Sequence, residues 1–189
     1  MEAFLVSAGI VALAEIGDKT QLLAFVLAAR YRRPAPIILG ILVATLVNHA
    51  LAGAVGRWLM LAVGPTLMRW ALAVSFLAMA AWILVPDSLS DDEAAPRQRF
   101  GVFGTTVIAF FLAEMGDKTQ IATVALAARY PSMWAVVAGT TAGMMLANVP
   151  AVLVSNRLAE RLPIRLVHGL AAALFLALAV VVLVAQPLG

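Results

Sequence analysis

The chain has 189 residues, 63% of them hydrophobic and 12% charged, with a mean hydropathy of +1.00. Soluble domains of this length are nearer half apolar and a quarter charged, so the solvent of this fold is mostly lipid. The formal charge of +3 points to no nucleic-acid partner, because the basic residues stand at the ends of apolar segments, and the absence of Cys removes disulfides, thiolate ligands and cysteine nucleophiles together.

Six apolar segments follow one another, each long enough for a span of ~20 residues. The first runs from about Ala3 to Ala29 and closes on Arg30-Tyr31-Arg32-Arg33-Pro34. Glu2 stands where a cleavable signal would be basic, so this segment is expected to act as its own insertion signal. The second runs from about Pro36 to Val63 and the third from about Leu67 to Val85. An acidic stretch follows, with Asp87, Asp91, Asp92 and Glu93, read as a solvated loop. The fourth runs from about Phe100 to Ala128, the fifth from Met133 to Val154 and the sixth from Ile164 to Ala185. The polar piece from Ser155 to Pro163 reads as an interfacial turn. The fold class expected is all-α, a polytopic membrane protein of six transmembrane helices.

The chain also repeats itself. Glu15-Ile-Gly-Asp-Lys-Thr-Gln21 returns as Glu114-Met-Gly-Asp-Lys-Thr-Gln120, 99 positions on. At the same offset Ala28-Ala29-Arg30-Tyr31 matches Ala127-Ala128-Arg129-Tyr130, and Gly40 matches Gly139. One inserted residue then sets Asn48 on Asn148 and Arg57 on Arg157. Residues 1–86 and 100–189 are therefore read as two three-helix units joined by an acidic linker at 87–99. Three spans are odd in number, so the second unit enters the bilayer from the opposite side, giving two inverted three-helix repeats. Eight Lys or Arg residues flank one side (Arg30, Arg32, Arg33, Arg97, Arg99, Arg157, Arg161 and Arg165) against Arg57, Arg69 and Arg129 on the other. The positive-inside bias sets the linker in the cytoplasm and both termini outside.

The midpoints of segments one and four fall on Glu15–Asp18 and Glu114, where each buried charge costs on the order of 2.5–3.5 kcal/mol. On a continuous helix Glu15 and Asp18, three apart, share a face, as do Glu114 and Asp117, and Gln21 and Gln120 extend each stripe. Thr20 and Thr119 add hydroxyls. Facing one another, the stripes offer four carboxylates and neutral oxygens, a hard-oxygen set suited to Mn²⁺, Ca²⁺ or Mg²⁺. With two His and no Cys, a tetrahedral zinc or copper site has little support. Gly17 and Gly116 divide the acid pairs and mark a helix break, tolerated at membrane depth where it lines a polar cavity. Lys19 and Lys118 lie four residues after Glu15 and Glu114 and are expected to neutralise carboxylates or to stand in for the cation. Clustered carboxylates share protons that an incoming divalent ion must displace, so metal–proton exchange follows from the cluster. Asn48 and Asn148 are expected to cap the ion site or bond between helices. His49 is assigned to local hydrogen bonding or to the mouth of the site, with proton handling as the lesser alternative, His168 to the interface, and Met144 and Met145 to packing rather than soft-metal ligation. The alternative to a site is Glu–Lys glue between helices, which suits one copy better than two.

These residues resemble a known family. Duplicated Glu-x-Gly-Asp-Lys-Thr motifs in a six-span chain are similar to the Gdt-type divalent-cation transporters, which include bacterial manganese exporters of the MneA type. The resemblance covers essentially the whole chain and carries the family's motif onto Glu15, Gly17, Asp18, Lys19 and Thr20 and onto Glu114, Gly116, Asp117, Lys118 and Thr119. It implies a secondary transporter of Mn²⁺, or a Ca²⁺/H⁺ antiporter. The compact length favours Mn²⁺ export across a bacterial cytoplasmic membrane. No cofactor is expected beyond the transported ion. The partners expected are that ion and the lipid bilayer, and a homo-oligomer is compatible with the sequence. An intramembrane metal-dependent enzyme is the competing class, but no Ser/His/Asp set, His-rich motif or cofactor loop accompanies the acids.

Overall fold

The computed structural model describes residues 1–85, 100–154 and 164–184; the acidic linker at 87–99, the polar piece at 155–163 and the His168 side chain lie outside the described residues. All regular structure among the described residues is helical. Helix α1 spans Glu2–Glu15, α2 Lys19–Tyr31, α3 Pro34–Val63 and α4 Pro65–Trp82; then come α5 Gly101–Glu114, α6 Lys118–Arg129, α7 Met133–Val154 and α8 Ile164–Val184. Sequence segments one and four are each cut in two at the motif, giving eight helices among the described residues where the sequence has six apolar segments. Helices α3 and α7 are long and apolar enough to cross a membrane.

Among the described residues the outer helix faces are largely apolar, and the acids of the repeated motif, with Lys118, lie inside. Leu46, Leu51, Val55, Trp58 and Leu61 are exposed along α3, and Leu67, Trp70, Val74 and Leu77 along α4. Glu15, Asp18, Glu114 and Lys118 are each 0% exposed. A soluble protein would show the reverse, since fully buried charges are rare there and monomers rarely show continuous apolar faces. The observed arrangement is consistent with a membrane protein.

Packing runs mainly between the two halves of the chain. Helix α1 lies on α7, α3 on α5, α6 and α7, and α4 on α8. The contacts come in matched pairs. A Cβ on Gly40 of α3 would stand 2.7 Å from Thr106 Cβ on α5, and one on Gly139 of α7 would stand 3.0 Å from Ser7 Cβ on α1. Gly139 is 99 residues after Gly40, and Thr106 is 99 after Ser7, so one close approach is made twice. On α4 the buried residues Leu72, Ala73, Phe76, Ala80 and Ile83 recur on α8 as Ala171, Ala172, Phe175, Ala179 and Val182 at that offset. Phe76 packs on its own counterpart Phe175, ring centroids 6.3 Å apart. Neither half could bury these faces alone.

Candidate metal centre

The motif builds the same turn in both halves, residue by residue. Helix α1 stops at Glu15, and Ile16 turns to φ −65°, ψ 117°. Gly17 follows at φ 84°, and the Asp18 N–H donates to the Glu15 carbonyl at 3.0 Å. Helix α5 stops at Glu114, Met115 takes φ −68°, ψ 117°, Gly116 takes φ 77°, and the Asp117 N–H reaches the Glu114 carbonyl at 3.1 Å. These are type II turns, whose third residue needs a positive φ that glycine adopts without strain. Asp18 and Asp117 then stand at the N-cap positions of α2 and α6, at φ −81° and −76°. The Asp117 carboxylate accepts from the Thr119 N–H at 3.5 Å.

The remaining motif side chains lock the break. Gln21 Oε1 accepts the Gly17 N–H at 2.9 Å, and Gln120 Oε1 accepts the Gly116 N–H at 2.8 Å. The Thr20 hydroxyl donates to Glu15 Oε2 and the Thr119 hydroxyl to Glu114 Oε2, the latter at 2.9 Å. Each glutamate is thereby held by one oxygen, and its other oxygen, Oε1, is buried with no hydrogen-bond partner.

The helix ends meet at the centre. Glu15, Glu114 and Asp117 each bring a carboxylate oxygen within 4.8 Å of the other two, all three buried. Bond lengths of about 2.0–2.6 Å let one hard cation bridge oxygens spaced in this way. Such a cation would also satisfy the two orphaned glutamate oxygens. The fourth acid is engaged by the opposite repeat: Asp18 takes the Lys118 ammonium, both side chains being buried. The matching pair, Lys19 with Asp117, is looser at 3.9 Å, with Lys19 21% exposed.

Two expectations from spacing change here. The continuous stripe of Glu15, Asp18 and Gln21 does not form, because the helix ends between the acids, and the same holds for Glu114, Asp117 and Gln120. The glutamine oxygens are turned onto the backbone of the break. The lysines bridge to the aspartate of the other repeat, where an i, i+4 pair with their own glutamate was expected. Asn48 lies beside the centre: its Nδ2 donates to the Phe111 carbonyl at 3.4 Å and its Oδ1 accepts from Gln120 Nε2. Its counterpart Asn148 donates within its own helix, to Met144 O at 3.1 Å and Met144 Sδ at 3.0 Å. Gln21 Nε2 goes to the Ala147 carbonyl at 3.1 Å. His49 is buried on α3, neither ring nitrogen having a hydrogen-bond partner among the described residues. Backbone carbonyls as partners escape sequence reading, since every residue has one. The part played by Met144 had a faint signal in its place one turn before Asn148.

Comparison with known proteins agrees with this chemistry. A family model described as "Divalent cation/proton antiporter GDT1" matches residues 3–91 and 102–188, one stretch per repeat. A protein of Vibrio cholerae serotype O1 named "Putative manganese exporter" is 50% identical over 181 residues, covering 95% of this chain and 89% of the relative. A "GDT1-like protein" of Synechocystis is 30% identical over 203 residues, covering 93% of this chain and 95% of the relative. No solved structure matches. These names are those of transporters rather than enzymes. The chain belongs to the GDT1 family of divalent cation/proton antiporters.

Proposed function

We propose that the protein exports Mn²⁺ across the bacterial cytoplasmic membrane in exchange for protons. The observation that carries this is the buried group of Glu15, Glu114 and Asp117, with one orphaned oxygen on each glutamate. Asp18 joins it whenever Lys118 withdraws, and Lys19 and Lys118 balance charge. Thr20 and Thr119 aim the glutamates; Gln21 and Gln120 hold the turns at Gly17 and Gly116; Asn48 ties Gln120 to α3, the Ala147 carbonyl ties Gln21 to α7, and Asn148 stands beside that tie. Four carboxylates against two ammonium groups leave two formal negative charges in a buried site. Burying an uncompensated charge is costly, so the site is stable with one divalent cation or with two protons. Exchange of one for the other is the transport cycle.

The architecture that fits is six spans in two inverted repeats, residues 1–86 and 100–189, with 87–99 as a cytoplasmic linker and both termini outside. Helices α1 with α2, and α5 with α6, each make one broken span. Reciprocal contacts between the halves, with Phe76 on Phe175, support a two-fold arrangement. Manganese is the reading favoured by the relative at 50% identity, whose name carries that ion. A Ca²⁺/H⁺ antiporter is the second reading, since the oxygen ligands suit both ions.

The test is ion flux in proteoliposomes, with and without a pH gradient. Wild type should move Mn²⁺ when the opposite side is acid, and Asp18→Asn and Asp117→Asn should lower the flux at least tenfold in folded protein. Faster Ca²⁺ than Mn²⁺ movement would install the second reading. Intact flux in both variants would return the carboxylates to helix glue.

A further inference from the structure

Duplication gives every residue of the centre a counterpart, and the two copies stand in different states. Gln120 bridges from its break to the Asn48 side chain on α3. The corresponding bridge, Gln21 to Asn148 on α7, is not made. Gln21 donates instead to the carbonyl of Ala147, the residue next to Asn148. Asn148 is folded back on Met144, and its Oδ1 is fully buried without a hydrogen-bond partner. The lysine pairs differ in the same sense, Lys118 being seated on Asp18 while Lys19 stands off from Asp117. A buried amide oxygen left unsatisfied is costly, and a movement of one residue along α7 would give it a donor. The ladder of α7 is already weakened there. Pro150 has no N–H, so the rung to Leu146 is missing, whereas the corresponding residue on α3 is Ala50.

We propose that Asn48–Gln120 and Asn148–Gln21 are two latches that close alternately. The first holds the conformation described here. The second closes in the conformation open to the other side of the membrane, and Asn148 is parked on Met144 until then. Each latch ties the break of one repeat to the third helix of the other, so closing one and opening the other moves the carboxylates with the helices that carry them. This rests on the reading of the protein as an alternating-access exchanger. It adds four positioning residues, Asn48, Asn148, Gln21 and Gln120, and a parking residue, Met144.

The latches give opposite signs to equivalent substitutions. Asn48→Ala opens the closed latch and favours the other conformation. Met144→Leu keeps the volume of the core and removes the sulfur on which Asn148 is parked, so it acts in the same direction. Asn148→Ala removes the latch of the other conformation and favours the present one. The loss of one net hydrogen bond shifts such an equilibrium by about threefold to tenfold. The chain has no Cys, so spin labels go only where cysteines are introduced. Two matched pairs of exposed positions report the exchange, Leu46 with Ile121 and Leu146 with Leu22. In nanodiscs, the label distances of the two pairs should trade places when the protein switches. Asn48→Ala and Met144→Leu should both move the first pair toward the distances of the second, and Asn148→Ala should move it away. Shifts of one sign in all three, or none, overturn the latches. The distances need no flux. If Mn²⁺ and Ca²⁺ both fail to move through the wild type while the distances respond, the transport reading falls and the latches stand. If flux persists and the distances do not respond, the reverse holds.

Discussion

Each residue of Glu-x-Gly-Asp-Lys-Thr-Gln does a separate physical task, and the tasks can be separated by substitution. Gly116 is the clearest case. A Cβ there would meet nothing within 4 Å, yet its φ is 77°. Gly116→Ala should therefore cost about 1–2 kcal/mol through backbone strain alone, and Gly116→Asn should cost less, because Asn tolerates this region. Thermal unfolding in detergent, with and without Mn²⁺, measures both. Thr119 tests a different task. Thr119→Val keeps the shape and removes the donor to Glu114 Oε2. The carboxylate then has both oxygens buried and free, which costs about 1–3 kcal/mol unless a cation takes them. Mn²⁺ should stabilise this variant against heat more than it stabilises wild type. Equal stabilisation of the two would place the ion away from Glu114.

At the scale of helices, the sequence told a good deal about where the elements lie and little about how they meet. Segment ends from the apolar pattern fall within a few residues of α3, α4, α7 and α8, because each of these helices is apolar for most of its length. The break at Gly17 and Gly116 was legible, because glycine between two acids at mid-segment has few other uses. That the aspartates become N-caps was not, since the i, i+3 spacing of Glu15 and Asp18 fits a continuous helix equally well. Crossed pairing of the lysines was hidden for a related reason: it depends on which helix ends face one another, and spacing along one chain carries no such information. Close approaches between repeats show as small residues only once the partner is known. Gly139 is such a residue, since a Cβ on it would stand 2.4 Å from the Phe4 carbonyl. Backbone cannot give way as a side chain can. Gly139→Val should therefore push α1 off α7, at a cost of about 1–3 kcal/mol or more, with lower yield of folded protein on size exclusion. Gly40→Ala would meet Thr106 Cβ at 2.7 Å and the Phe103 carbonyl at 3.1 Å, so it should displace α5 from α3 in the same way.

At the scale of the whole molecule, the proposed exchange is governed by the charge it would carry across the membrane in each half-cycle. The buried centre holds two formal negative charges beyond those its lysines neutralise. Loaded with one divalent cation it is neutral, and loaded with two protons it is neutral again. Both loaded forms can therefore pass through an occluded state without moving net charge through the low-dielectric core, where a bare charge is most costly. The half-loaded forms, empty or singly protonated, keep an uncompensated charge and should not exchange. On the proposed function, an exchanger built in this way would move two protons against one Mn²⁺ and be electroneutral. A membrane potential acts on moved charge at about 2.3 kcal/mol per elementary charge per 100 mV, so on this cycle it does no work. The measurement is Mn²⁺ flux in proteoliposomes under a potassium diffusion potential set with valinomycin. Reversing the potential at equal pH should leave the flux unchanged, while a pH step of one unit should drive it. A flux that follows the potential would mean a third charge moves, and the first place to look is Lys19, the partly exposed member of the looser ion pair.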